Sequence, residues 1–196
     1  MNALHKYFQC NKGYGRMKDL KEQGFQTRDI RRLVAEGKIK RIKPGLYRLS
    51  GVSPGDATGI VELCLAIPKA VICLTSALAF YELTTFVPSR ISYALPRSDK
   101  PISLSSPTEP YYFSESQYKA GIEKLETKAG QIRIFGPEKT ICDCFRFRNK
   151  LGEDIALEAL KTYLRRRDRD LNKLMKYAEI SRARTALSQY VKALLA

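Results

Sequence analysis

Residues 27–49, TRDIRRLVAEGKIKRIKPGLYRL, hold seven Arg or Lys side chains in their first seventeen positions: Arg28, Arg31, Arg32, Lys38, Lys40, Arg41 and Lys43. Cationic groups at that density can neutralise phosphates and release their counterions. Arginine adds a planar fork that matches guanine edges in a duplex groove. The run stops at Pro44-Gly45, and apolar residues recur within it at helical spacing. It therefore reads as a built surface, not a basic tail.

Other reactive types form weaker patterns. Cys142 and Cys144 stand two residues apart, which on a helix sends them to different faces, unlike the CxxC spacing of zinc sites. Cys10, Cys64 and Cys73 supply no second pair, so the thiols are expected to be structural or incidental and no metal is expected. His5 is the single histidine, and as a general base it would need a nucleophile and an orienting group folded against it. Glu62, Glu82, Asp99, Glu138 and Asp143 could in principle supply a Mg²⁺ site for a nuclease. No tight acidic spacing follows a clear strand to support one. No catalytic residue and no cofactor are assigned.

The charge balance points the same way as the basic run. The 196 residues carry a formal net charge of +15, a magnitude that speaks of anionic partners and not of fold. Residues 1–50 hold +9, residues 51–145 hold −1, and residues 146–196 hold +7. Two basic surfaces on a neutral body are implied. Hydrophobic content of 44% with 28% charged residues is that of a globular chain. No secretory segment opens the sequence, and the apolar stretch Ile60–Leu83 is broken by Glu62, Pro68, Lys69 and Glu82. Five irregularly spaced cysteines argue for reduced thiols and a cytoplasmic location.

The elements that would position the basic side chains follow from periodicity. Leu4, Tyr7 and Phe8 suggest a first helix ended by the GYG at 13–15; Met17 and Leu20 suggest a second, stopped by Gly24. Thr27 is expected to cap a third helix, with Ile30, Leu33 and Val34 facing the core and Gly37 closing it. Two short strands joined across Pro44-Gly45 follow, with Tyr47, Ile42 and Leu49 packed beneath. Three helices and a basic hairpin are the order of a winged helix-turn-helix, whose third helix enters the major groove. Thr27, Arg28, Arg31 and Arg32 would then face DNA from that helix, and Lys38, Lys40, Arg41 and Lys43 from the wing. A solvated face or a protein-docking module stays open as the alternative.

The fold class expected is α+β: the winged helix-turn-helix over 1–50, a linker over 51–59, and a mixed α/β body over 60–196 ending in helices. Asp56 could cap a helix running to Ala66; AVICL, RISYALP and QIRIFGP read as strands, and Thr75-Ser76 as a helix start. Pro137 suits the first position of a helix EKTICDCFRFR, with Ile141, Cys144 and Phe145 inward and Lys139, Asp143 and Arg146 on other faces. Apolar stripes then recur through Leu160, Leu174 and the terminal Leu194 and Leu195, with an exposed Arg165–Arg169 cluster between. That cluster could dock an acidic partner or extend a DNA footprint.

The wing GKIKRIKPGLYRL, followed at a distance by GPEKTICDCFRFRNKLGEDIALEALKTYLRRR, resembles the AbiEi-type antitoxins of type IV abortive-infection toxin–antitoxin systems. The resemblance is strongest at the two ends. It implies an N-terminal domain that binds inverted repeats in its own promoter. It also implies a C-terminal domain that opposes a nucleotidyltransferase-like toxin without forming a stable complex with it. The matching C-terminal positions are Lys139, Thr140, Asp143, Arg146 and Arg148. A solitary regulator without a toxin is compatible with the same residues.

Overall fold

Short helices need tertiary burial to persist, and the N-terminal segment supplies it with a small apolar cluster. In the computed structural model, which describes residues 3–51, 57–102, 104 and 106–195, the chain is a mixed α+β protein. It opens with α1 (Ala3–Cys10), β1 (Tyr14–Arg16), α2 (Met17–Glu22), α3 (Thr27–Ala35), β2 (Ile39–Lys43), β3 (Leu46–Leu49) and α4 (Thr58–Ala66). Leu4, Phe8, Leu20, Ile30, Ile39, Tyr47 and Leu49 form the cluster, with Leu33 and Val34 packed against it.

The strands pair in the order β1-β3-β2, all antiparallel. Strand β1 is absent from the sequence reading, which ends a helix at GYG. Gly15 stands opposite Tyr47, and a Cβ there would lie 2.8 Å from Cε1 of Phe8. Its role is close approach of a strand to the Phe8 ring. Helix α3 ends as the sequence suggests: Gly37 has φ +68, and the amides of Gly37 and Lys38 donate to the carbonyls of Val34 and Leu33. The cap at its start differs. Gln26 is the extended N-cap residue and its carbonyl accepts from Asp29 and Ile30, so Thr27 is already the first helical residue.

The remainder comprises β4 (Val71–Ile72), α5 (Leu74–Phe80), β5 (Ile91–Pro96), β6 (Thr108–Phe113), α6 (Glu115–Lys119), β7 (Ile122–Glu126) and β8 (Gln131–Phe135). Five helices finish it: α7 (Pro137–Arg146), α8 (Arg148–Leu151), α9 (Glu153–Leu164), α10 (Leu171–Ile180) and α11 (Arg184–Leu195). The sheet order is β6-β5-β4-β8-β7, with β4 antiparallel to β5 but parallel to β8, and β5 parallel to β6. Helix α7 packs against α5, α9, α10 and α11, and Pro137 sits in its first turn as expected. Helix α5 starts one residue before the expected Thr75, with Cys73 as an extended N-cap residue whose side chain makes no capping bond. The Thr75 hydroxyl instead lies 3.1 Å from that of Ser92, and Ser76 Oγ accepts from the Ser92 amide.

Two compact units result: Met1–Pro68 with Ser103–Ser106 and Glu126–Gln131, and the rest. Helix α4 belongs to the first, where Glu62 is buried and paired with Arg48. The expected Asp56 cap, most of the 51–59 linker and the side chain of Leu195 lie outside the described residues.

Gly15→Ala is expected to destabilise the protein by about 1–3 kcal/mol, the usual cost of overpacking a filled core. Urea unfolding of the two proteins checks this, and an unchanged midpoint would show that Phe8 can move aside.

Candidate nucleic-acid interface

Helix α3 buries Ile30 and turns Arg28, Arg31 and Arg32 outward, all exposed. Strand β2 has the burial sequence in, out, out, in, because the pairing slips between Arg41 and Lys43. That bulge leaves Lys40 and Arg41 both exposed while Ile39 and Ile42 point inward. The turn places Pro44 and then Gly45, with φ +80, where a type II turn needs them. The Gly45 carbonyl accepts from the Met17 amide at 2.8 Å, which ties the hairpin turn to the start of α2.

These cations are not equally available. Arg32 stands 3.7 Å from Asp29 and 3.8 Å from Glu36, and Lys38 pairs with Glu36 at 2.7 Å. Both cations are exposed and neither carboxylate is buried, so solvent screens these pairs and they yield easily. Lys43 is different: it is half-buried, and its Nζ donates to the Ala66 carbonyl at the end of α4. Arg28, Arg31, Lys40 and Arg41 have no ion pair among the described residues. Thr27 is half-buried at the start of α3. The structure thus brings the expected residues onto one helix and the adjacent hairpin, and sets Lys43 apart.

The C-terminal motif is placed otherwise than its periodicity suggests. Lys139 and Asp143, expected on outer faces of their helix, are fully buried together with Thr140. The cause is the enclosure of α7, whose residues Glu138 through Phe145 are all buried. Lys139 Nζ pairs with Asp143 Oδ2 at 2.5 Å and lies 4.6 Å from the centre of the Phe135 ring. The Ser181 hydroxyl donates to Asp143 Oδ1 at 2.7 Å, and Thr140 donates to the Phe135 carbonyl at 3.0 Å. Burial pushes the Asp143 carboxyl above its ordinary range, against the pull of Lys139 and the Ser181 hydroxyl. Arg146 and Arg148 are half-buried; Arg148 donates to the Phe145 carbonyl at 2.9 Å and approaches Glu153 at 3.6 Å.

The other reactive groups are similarly occupied. Glu62 holds Arg48, Asp99 holds Lys69, and Glu138 accepts from Tyr163 and pairs with Lys173. Glu82 is exposed at the end of α5. Among the described residues no three His, Cys, Asp or Glu side chains gather as a metal site. Burial pushes the Cys73, Cys142 and Cys144 thiols well above their ordinary value, so little thiolate forms. His5 lines a cavity of about 280 Å³ with Leu4, Phe8, Leu33 and Ile39, and no carboxylate lines it. Sequence reading missed Arg48, Gln117 and Ser181, whose partners are distant in sequence and leave no local pattern. No helix among the described residues is long and apolar enough to cross a membrane.

Residues 11–50, which hold α2, α3 and the hairpin, match the family described as transcriptional regulator, AbiEi antitoxin. This is the family that the sequence resembles. It is a family of regulators and antitoxins, and the match supports a regulator role. The crystal structure of the RV2827C protein from Mycobacterium tuberculosis is similar in fold, with a TM-score of 0.52 at 14% identity. The likeness covers 93% of this chain and 75% of that one. No curated protein matches the sequence significantly.

Asp143→Ala is expected to cost about 3–5 kcal/mol, because it leaves an ammonium enclosed without its partner. Replacing both Lys139 by Met and Asp143 by Leu should recover most of that loss. Urea titrations of the single and double variants decide it: a single-variant loss below about 1 kcal/mol would mean that the pair does not hold α7.

Proposed function

We propose that the chain is a DNA-binding transcriptional repressor of its own operon and the antitoxin of a nucleotidyltransferase-like toxin. Residues 1–50 act as a winged helix-turn-helix on an inverted-repeat operator, and residues 60–196 carry the antitoxin role. The observation that carries the DNA reading is the unpaired, exposed state of Arg28 and Arg31 on α3 beside Lys40 and Arg41 on the hairpin. A recognition helix needs free arginine forks for base edges, and a wing needs free cations for phosphates. The family match over residues 11–50 supports the same reading. The toxin, phage defence and the absence of a stable complex come from the family resemblance, and a cytoplasmic site of action from the cysteine pattern.

On this reading the side chains divide the work. Arg28 and Arg31 read bases, Lys40 and Arg41 hold phosphates, and Lys43 braces the hairpin through Ala66. Arg32 first has to leave Asp29 and Glu36.

Fluorescence anisotropy with DNA from upstream of the gene, against unrelated DNA of equal length, tests the proposal. A salt series from roughly 50 to 200 mM should weaken binding steeply. Arg31→Ala is expected to cost about 1–3 kcal/mol and to relax sequence preference. Lys40→Ala should weaken all DNA alike and flatten the salt slope by about one, whereas Lys43→Ala should leave that slope nearly unchanged. Equal affinity of the wild type for both DNAs would sink the repressor reading.

A further inference from the structure

Three arginines of the second unit stand on segments that adjoin one another, and none of the three has an ion pair among the described residues. Strand β5 ends at Pro96, which stands opposite Phe113 of β6, and Arg97 follows directly. The Arg146 guanidinium lies over the same Phe113 ring at 5.8 Å and over Phe147 at 5.2 Å. Arg146 Nη1 donates to Oε1 of Gln117, a side chain only 3% exposed. The Gln117 amide in turn donates to the Ile180 carbonyl at 3.0 Å, two residues before Arg182. One strand end, one helix end and the close of α10 therefore meet around Gln117 and Phe113.

The supports are built, and the cations are left free. Gln117 Oε1 is also held by the Ser114 hydroxyl at 3.0 Å, so Arg146 is fixed through one nitrogen while the rest of its fork remains available. Arg97 and Arg182 are exposed and have no ion pair or hydrogen-bonding side-chain partner among the described residues. The acidic groups nearby in the chain are engaged elsewhere: Asp143 with Lys139 and Ser181, Glu179 with Arg184. Burial holds Arg146 below its ordinary value, and the like charges of Arg97 and Arg182 add to that against the attraction of Asp143.

Arg182 has a strained backbone. It sits at φ +57 in the left-handed turn that ends α10, where its amide donates to Glu179 and that of Ala183 to Ala178. Glycine fills such a position without strain, and an arginine does not. Lys12, Leu74 and Glu82 share this conformation, so it marks Arg182 as a place where glycine fits more easily and not as a site by itself.

We propose that Arg97, Arg146 and Arg182 form a binding site for a phosphate group, with Phe113 and Phe147 as its floor and Gln117 as its brace. Planar forks drawn from three adjoining segments suit an anion with several acceptor oxygens, to which each can make charge-assisted bonds. The phosphate comes from a free nucleotide or from a nucleic-acid backbone. The site stands independently of the base-reading role of α3.

Calorimetric titration of the full chain with inorganic tripolyphosphate tests the site. Arg97→Ala and Arg182→Gly should each bind about tenfold more weakly, the loss of one charge-assisted contact. Lys161→Ala removes one positive charge from an exposed position of the same unit and should stay within about twofold of wild type. Arg182→Gly relieves the strained turn, so its urea midpoint should not fall, and misfolding cannot explain its loss of binding. Repeating the series with ATP and with a short duplex of unrelated sequence separates the two sources. The same pattern with ATP assigns a free nucleotide; a flattened salt slope on the duplex in both variants assigns the backbone. Equal tripolyphosphate binding by wild type, Arg97→Ala and Arg182→Gly, or an equal loss in Lys161→Ala, overturns the proposal.

Discussion

A helix without a solvent face must satisfy every charge it carries from within, and α7 is such a helix. Its residues from Glu138 to Phe145 are buried in succession, four of them polar or charged. Each of these reaches a different neighbour. Thr140 bonds the end of β8, Glu138 bonds Tyr163 of α9 and Lys173 of α10, and the Lys139–Asp143 pair takes Ser181 after α10. Buried ion pairs are poor sources of net stability but severe penalties against misplacement. The polar groups of α7 therefore specify where the surrounding elements lie, and the apolar ones supply the adhesion.

That arrangement explains what the sequence could and could not disclose. Helices with a clean stripe were legible, as were their punctuation marks: Gly37 after α3, Pro137 at the head of α7, the Pro44-Gly45 turn. The mixed α+β class was legible too. Periodicity presumes that one face meets water, so it sent Lys139 and Asp143 outward when their helix has no such face. Strand β1 hid behind two glycines, which read as a helix stop. Strand β6 holds Pro110 and β7 alternates weakly through Lys124, so neither has the usual strand signature. The partners Gln117 and Ser181 are set by contacts across 29 and 38 residues, beyond any local pattern.

In the basic surface, types were legible and availability was not. Counting charges makes Lys43 equal to Lys40, and Arg32 equal to Arg31. Three dimensions separate them. A helix C-terminus offers unpaired carbonyls, and the one at Ala66 claims the Lys43 ammonium. Asp29 and Glu36 flank Arg32 one turn on either side, as helical spacing dictates. The hairpin bulge does the opposite and turns Lys40 and Arg41 outward together. The candidate interface is thus the part of a larger positive field that intramolecular acceptors leave unclaimed.

The distribution of thiols has a use of its own. Cys10 is exposed on α1, while Cys73, Cys142 and Cys144 are sealed in the core of the second unit, where burial suppresses their ionisation. A thiol reagent meets Cys10 in the native protein, with Cys64 half-buried, and reaches Cys73, Cys142 and Cys144 only when that core opens. The chain consequently carries a clock for its own local unfolding. The rate at which the last three become modified reports how often α7 and its neighbours part, in the resting protein and in the presence of anything that binds it.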